Sequence, residues 1–152
     1  MYLKLDAQLR TLDTWFTLAE KQENDEIKAH MSKYLCIRVS GIMESALKLI
    51  FQHYVDGKCP QNIATFTNKQ ISKINNVESD KIANLLGLFS NDWKSKYIKY
   101  VEGQLESSLN SIVGQRHNLA HNFNNNSISL NQVKSYYSDI KKIISFLQHL
   151  VH

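Results

Sequence analysis

Within the stretch Ile112 to Phe123, IVGQRHNLAHNF, an arginine, two histidines and an amide fall inside six residues. A histidine titrating near about pH 6.5 moves a proton at neutral pH, and an arginine stabilises charge developing on a phosphoryl oxygen. Arg116 and His121 together suit phosphodiester transesterification in RNA, where the 2′-hydroxyl is the internal nucleophile and no metal is required. His117 and Asn118 stand beside them as groups that can position a phosphate.

The placement of these residues is as informative as their types. On a helix turning about 100° per residue, Leu105, Leu109, Ile112, Val113, Leu119, Ala120 and Phe123 form one apolar arc, with Arg116 near its centre. A guanidinium aimed at a core is costly unless it is paired or faces a ligand or a partner chain. Arg116 and His121 also lie about 140° apart around a straight helix, so one helix does not easily bring both to one small target. The helix must end or bend at His121, or a twofold copy must supply the second set. A symmetric dimer with facing motif helices would give Arg116 a polar surface, and Gly114, on the side of His121, would permit close contact.

Each residue also has a plainer reading. Arg116 is then salt-bridged to a core carboxylate, with Glu44 as the candidate, or snorkels to solvent. His121 becomes a helix-end histidine favoured by the C-terminal dipole, and His117 a solvated one. A metal-dependent hydrolase is the weakest alternative: of six histidines only His117 and His121 have ligand spacing, and no H-E-x-x-H or carboxylate set completes a site.

The elements that must hold this stretch are helices. Tyr2, Leu5, Leu9, Leu12, Phe16 and Ala19 recur at spacings of three and four, which predicts a first amphipathic helix. A second runs from about Asp25 to Tyr54 with apolar residues on two sides. Within it Glu44 is the exception among apolar and small neighbours, and Ser40, Gly41 and Ser45 would allow a close approach. Asp56-Gly57 and Pro60 break that helix, and the residues to Phe66 read as a loop. Thr67 to Gln70 reads as a capping box for a short helix closed by Asn75-Asn76, followed by helices opening at Ser79 and after Ser90. The motif helix spans about Gly103 to Phe123, and Ser129 with Gln132 caps a last helix striped by Leu130, Val133, Tyr137, Ile140, Ile144, Leu147 and Val151. The expected architecture is all-α, an antiparallel bundle of about four main helices plus short capping helices, in one domain over residues 1–152.

Composition agrees with that class. The 152 residues can bury about 70% of their unfolded surface in one core. Five Gly and one Pro leave few helix breaks. The net charge of +4 is uneven: residues 1–30 carry four Lys/Arg against six Asp/Glu, and residues 31–75 carry six against two. That excess is compatible with a polyanion partner without requiring one. Cys36 and Cys59 lack C-x-x-C spacing, and with no signal peptide or long apolar run the expectation is a cytoplasmic protein with reduced thiols and no membrane contact.

Arg116-His117-Asn118-Leu119-Ala120-His121 resembles the signature of the HEPN superfamily, an Arg, a polar residue and a His after four to six intervening positions. The long second helix with Glu44, the LLGLFSNDW stretch from Leu85 to Trp93 and a closing helix soon after the motif resemble compact bacterial HEPN ribonucleases of the RiboL-PSP-HEPN-like kind, some linked to toxin–antitoxin and phage-defence loci. The resemblance implies a homodimer whose paired motif helices form a composite RNase site, independent of metal and of cofactors, leaving a cyclic phosphate. Arg116 and His121 would be catalytic, with His117, Asn118 and Glu44 in support. The slot after the Arg is most often Asn in such proteins; here it is His117, and the Asn follows at Asn118. RNA is the implied substrate, and an antitoxin or sensor protein a possible partner. The alternative is a non-catalytic HEPN module that binds RNA, a nucleotide or an antitoxin.

Overall fold

Seven helices follow one another in the computed structural model, which describes residues 2–152: α1 (Leu3–Glu20), α2 (Asp25–Asp56), α3 (Gln61–Ser72), α4 (Ser79–Phe89), α5 (Asn91–Val101), α6 (Gln104–His121) and α7 (Leu130–Leu150). The all-α expectation is met, with α1, α2, α6 and α7 as the long members and α3 to α5 as the short ones.

The organising element is α2, about 48 Å long at 1.5 Å per residue. It starts where the Asn24 side chain accepts a hydrogen bond from the Ile27 N–H at 3.0 Å, and Asp25 and Glu26 complement the positive end of its dipole. Leu35, Val39, Met43, Leu47 and Ile50 are buried, as are Cys36, Ala46 and Phe51 on neighbouring sides, so the helix packs against several partners. Cross-contacts fix directions. Ser45 donates to Gln8 at 2.8 Å while Trp15 meets Tyr34 edge-on, so α1 runs antiparallel to α2. Arg116 meets Glu44 while Lys33 reaches Phe123, so α6 is antiparallel to α2 as well. Phe16 stacks on Tyr137 at 4.9 Å, and the Tyr137 hydroxyl donates to Asp13 at 2.8 Å, which ties α7 to α1.

Some details differ from the sequence reading. The segment before Thr67 is helical, not a loop: Pro60 sits at the N-cap of α3, and Ala64 and Ile71 are buried on one side of it. Thr67 to Gln70 therefore lies inside a helix and caps nothing. Pro60 is well suited to a helix start because it has no N–H to leave unpaired. The Gly41 position opens to empty space, with no atom near where a side chain would begin, so it does not serve a close helix contact. At the entry to α6, Gly103 has φ +93°, a conformation that favours glycine and lets α5 turn directly into the motif helix.

A buried polar clamp fastens α6 to α7. Asp139 is 5% exposed; it accepts hydrogen bonds from Ser108 at 2.6 Å and Gln104 at 3.2 Å, and pairs with Lys142 at 3.0 Å. Burial alone would raise the carboxyl pKa, but the bonds from Ser108, Lys142 and Gln104 and the Lys142 charge outweigh it and lower the value. A depressed folded-state pKa stabilises the fold above the unfolded value, about pH 3.9, and this contribution fades as pH falls towards the folded value. Asp139→Ala is expected to lose about 1–3 kcal/mol at neutral pH by removing the acceptor of the buried Ser108 O–H, whose oxygen keeps only the bond from Gln104. Urea unfolding at neutral and acid pH measures this, and the difference between variant and parent should shrink below about pH 4.

Candidate functional site

The motif helix α6 is anchored by Leu109, Ile112, Val113 and Leu119, all buried. The apolar arc is shorter than its periodicity implied, because Ala120 and Phe123 are exposed. The helix keeps its geometry to His121 and stops at Asn122; its final turn buries Leu119 and leaves Asn118, Ala120 and His121 exposed. Asn126 closes that end: its side-chain amide donates to the carbonyls of Asn118 at 3.1 Å and Asn122 at 2.7 Å. Lys33, 8% exposed on α2, donates to the Phe123 carbonyl at 2.8 Å and lies over the Phe123 ring. The His30 ring lies parallel to that same ring at 6.0 Å.

Arg116 does turn inwards, and its partners come from the same chain. Its Nη1 lies 3.3 Å from Glu44 Oε1 and donates a short hydrogen bond to Asn76 Oδ1. The Asn76 N–H in turn donates to Glu44 Oε1 at 2.8 Å, closing a triangle among α2, the α3–α4 connection and α6. The side chains of Arg116 and Glu44 are 32% and 15% exposed, so the pair is shielded yet open on one side. Asn76 has φ +47°, the one positive value outside glycine among the described residues. Asparagine tolerates this left-handed conformation better than most residues, and here it aims N–H and Oδ1 at two members of one ion pair. The pairing of Arg116 with Glu44 weighed from the sequence is present, and Asn76 of the same chain adds a second partner.

The histidines form a second group. His117 and His121, one turn apart, bring their rings to 4.4 Å between centroids at 64°, edge to face, and both are exposed. Neutral imidazole carries one N–H donor and one lone pair, so the pair offers both functions to solvent. Asn118 is exposed too, while its backbone carbonyl serves the helix cap. No hydrogen bond among the described residues joins the Arg116–Glu44–Asn76 triangle to the histidine pair. Thus the five residues selected from sequence fall into two clusters, Arg116 with Glu44, and His117 with His121 beside Asn118. The sequence reading missed Asn76 and Lys33. Asn75-Asn76 had signalled the end of a helix, which is the same left-handed tendency seen from a distance, whereas Lys33 carried no local mark.

Among the described residues no group of three or more His, Cys, Asp or Glu side chains is arranged to hold a metal ion. No helix is long and apolar enough to cross a membrane.

The penultimate helix of this bundle thus carries an inward Arg116 and, five residues further, an exposed His121. The RiboL-PSP-HEPN family model matches residues 5–151, and the chain belongs to that family. No curated protein and no solved structure matches it. HEPN membership points to RNA-related, RNase-like function.

The triangle makes separable demands on Asn76. Asn76→Ala is expected to cost about 1–3 kcal/mol, since alanine resists positive φ and leaves Arg116 short of an acceptor. Asn76→Gly should recover the conformational part alone and fall between the two. Chemical denaturation of the three proteins measures the order, and equal losses in both variants would show that the backbone conformation contributes nothing.

Proposed function

We propose that this protein is a metal-independent endoribonuclease of the HEPN type. One observation carries the reading: a cation fixed by Glu44 and Asn76 stands on the same helix as an exposed, adjacent pair of imidazoles. In the proposed reaction the 2′-oxygen bonds to phosphorus and the phosphorus–5′-oxygen bond breaks. A base takes the 2′-hydroxyl proton and an acid supplies one to the departing 5′-oxygen, leaving a 2′,3′-cyclic phosphate. His121 acts as the acid/base group and Arg116 stabilises the equatorial oxygens, while His117 and Asn118 position the phosphate. Glu44 is a positioning residue that fixes the guanidinium.

The composite arrangement follows from the separation of the clusters. Arg116 is directed at α2 and the imidazoles at solvent, so a twofold copy of α6 supplies the complement that one helix lacks. Space above Gly114 on this side, where an added side chain would meet nothing, supports such an approach. In a cell the activity is that of a toxin or phage-defence effector, restrained by an antitoxin or sensor protein.

A second reading rests on the saturation of Arg116. Its charge is already matched by Glu44, as in a structural ion pair, which favours a non-catalytic module that binds RNA or a nucleotide.

The two readings separate in a cleavage assay on total RNA with chelator present. His121→Ala and Arg116→Ala are each expected to lower cleavage by about 10²–10⁴-fold, the usual worth of acid–base and charge-stabilising groups. Both variants should also relieve growth inhibition; His121→Ala should melt like the parent, whereas Arg116→Ala, which leaves Glu44 unpaired, should stay folded but melt at a lower temperature. Cleavage that persists in both variants would overturn the nuclease assignment, and RNA binding by the parent without cyclic phosphate ends would establish the second reading.

A further inference from the structure

Away from the motif, a cleft of about 720 Å³ opens between α5 and the last turns of α7. Its wall is aromatic. Tyr100 and Phe146 lie ring to ring, with centroids 3.9 Å apart and planes within 3° of parallel, and Trp93 continues the surface along α5. Tyr100 is 39% exposed, an unusual position for a ring already stacked, and its hydroxyl has no hydrogen-bond partner among the described residues.

The rim is cationic. Lys96 and Lys99 follow Trp93 at intervals of three and Tyr100 comes next, so this side of α5 sets two lysines between two aromatic residues. Asp92 is the single acidic side chain lining the cleft, and it pairs with Lys96 at 2.7 Å through side chains that are more than half exposed. Such a pair is weakly held and yields readily to a competing anion. Lys99 has no ion-pair partner among the described residues. His149 closes the opposite rim; its Nδ1 is engaged by the Ser145 carbonyl at 2.7 Å, which leaves Nε2 for a ligand.

An exposed Tyr100 stacked on a half-buried Phe146, with half-buried Trp93 and two lysines along the same open groove, matches a strand whose bases are free to stack and whose phosphates recur at short intervals. A duplex fits poorly, because its bases are already stacked on one another. We propose that this cleft binds unpaired RNA, as an exosite that holds the strand while the motif acts on it. This role rests on the nuclease reading, although binding can be measured without it. The cleft is lined by α5 and the end of α7, and α6 begins three residues after α5 ends; Arg116 lies twelve residues along α6, roughly 18 Å from its start.

The test is fluorescence polarisation with a labelled single-stranded RNA of about 12 nucleotides, using the full chain with His121→Ala so that binding is read without cleavage. Binding should weaken as salt rises, and it should loosen about tenfold on adding Tyr100→Ala, the scale of one lost base-stacking contact. Lys99→Glu, at an exposed position that does not threaten folding, should also weaken binding and flatten the salt dependence. AMP should not displace the strand, and a duplex of the same sequence should bind more weakly. Unchanged affinity in both variants would overturn the proposal, as would displacement by AMP at the RNA's own concentration or equal affinity for the duplex. The two failures are distinguishable. A parent chain that never cleaves, with cleft variants that lose RNA, removes the nuclease and keeps the exosite; a parent that cleaves, with cleft variants that bind normally, does the reverse.

Discussion

The guanidinium of Arg116 sets a constraint that the rest of the molecule has to meet. A cation placed among Ile112, Val113 and Leu119 is tolerable only with a partner at hand, and the partner must come from outside the helix. Glu44 supplies the charge from the middle of α2, which requires α2 to run alongside α6 in a fixed register. Asn76 supplies the remaining acceptor and locks the carboxylate with its own N–H, which requires the connection between α3 and α4 to fold over the pair. The short helices are thus more than a cover for the bundle. They deliver a residue in a left-handed conformation to the one polar spot in an apolar seam.

The pair also illustrates why exposure decides how an ion pair should be valued. At 32% and 15% exposed, the two side chains are desolvated enough to need each other and open enough for a ligand to reach the guanidinium. A fully buried pair would be a structural feature with no access, and a fully exposed one would be screened and mobile. The intermediate position holds the cation still without hiding it, which a group meant to stabilise transient charge requires.

Periodicity made most of this fold legible. The stripes of α1, α2 and α7 and the caps at Ser90 and Ser129 are local signals, and at both caps the side chain accepts a backbone N–H as its residue type suggests. The start of α3 was hidden because Thr67 and Gln70 imitate a capping box, while the true start at Pro60 looks like the breaker that ends α2. Ala120 and Phe123 were assigned to the core by their spacing but are exposed, and at this end α2 meets Phe123 with Lys33 and His30 in place of apolar side chains, which periodicity within α6 cannot report. Glu44 stood out because an acidic residue among apolar ones is conspicuous locally. Asn76 was invisible as a partner, since its role exists only once residues 32 and 40 positions away are folded against it.

The final turn of α6 follows a different logic from its middle. Its carbonyls are capped by Asn126, and the backbone beyond it is tied to α2 by Lys33, so polar contacts hold the turn in addition to the buried Leu119. That leaves His117, Asn118 and His121 exposed on a helix that cannot fray freely, with the imidazoles also favoured by the negative end of the dipole. Arg116 is positioned by contacts that reach into the core, and the histidines by contacts that seal a helix end. If the two groups act on one phosphate, their different mountings explain the offset between them. The cation needs a fixed direction and takes it from α2; proton-transfer groups need access and take it from the exposed side of that turn. A second α6 facing the first would bring the fixed part of one chain to the accessible part of the other, so neither chain has to bend its helix to complete the geometry.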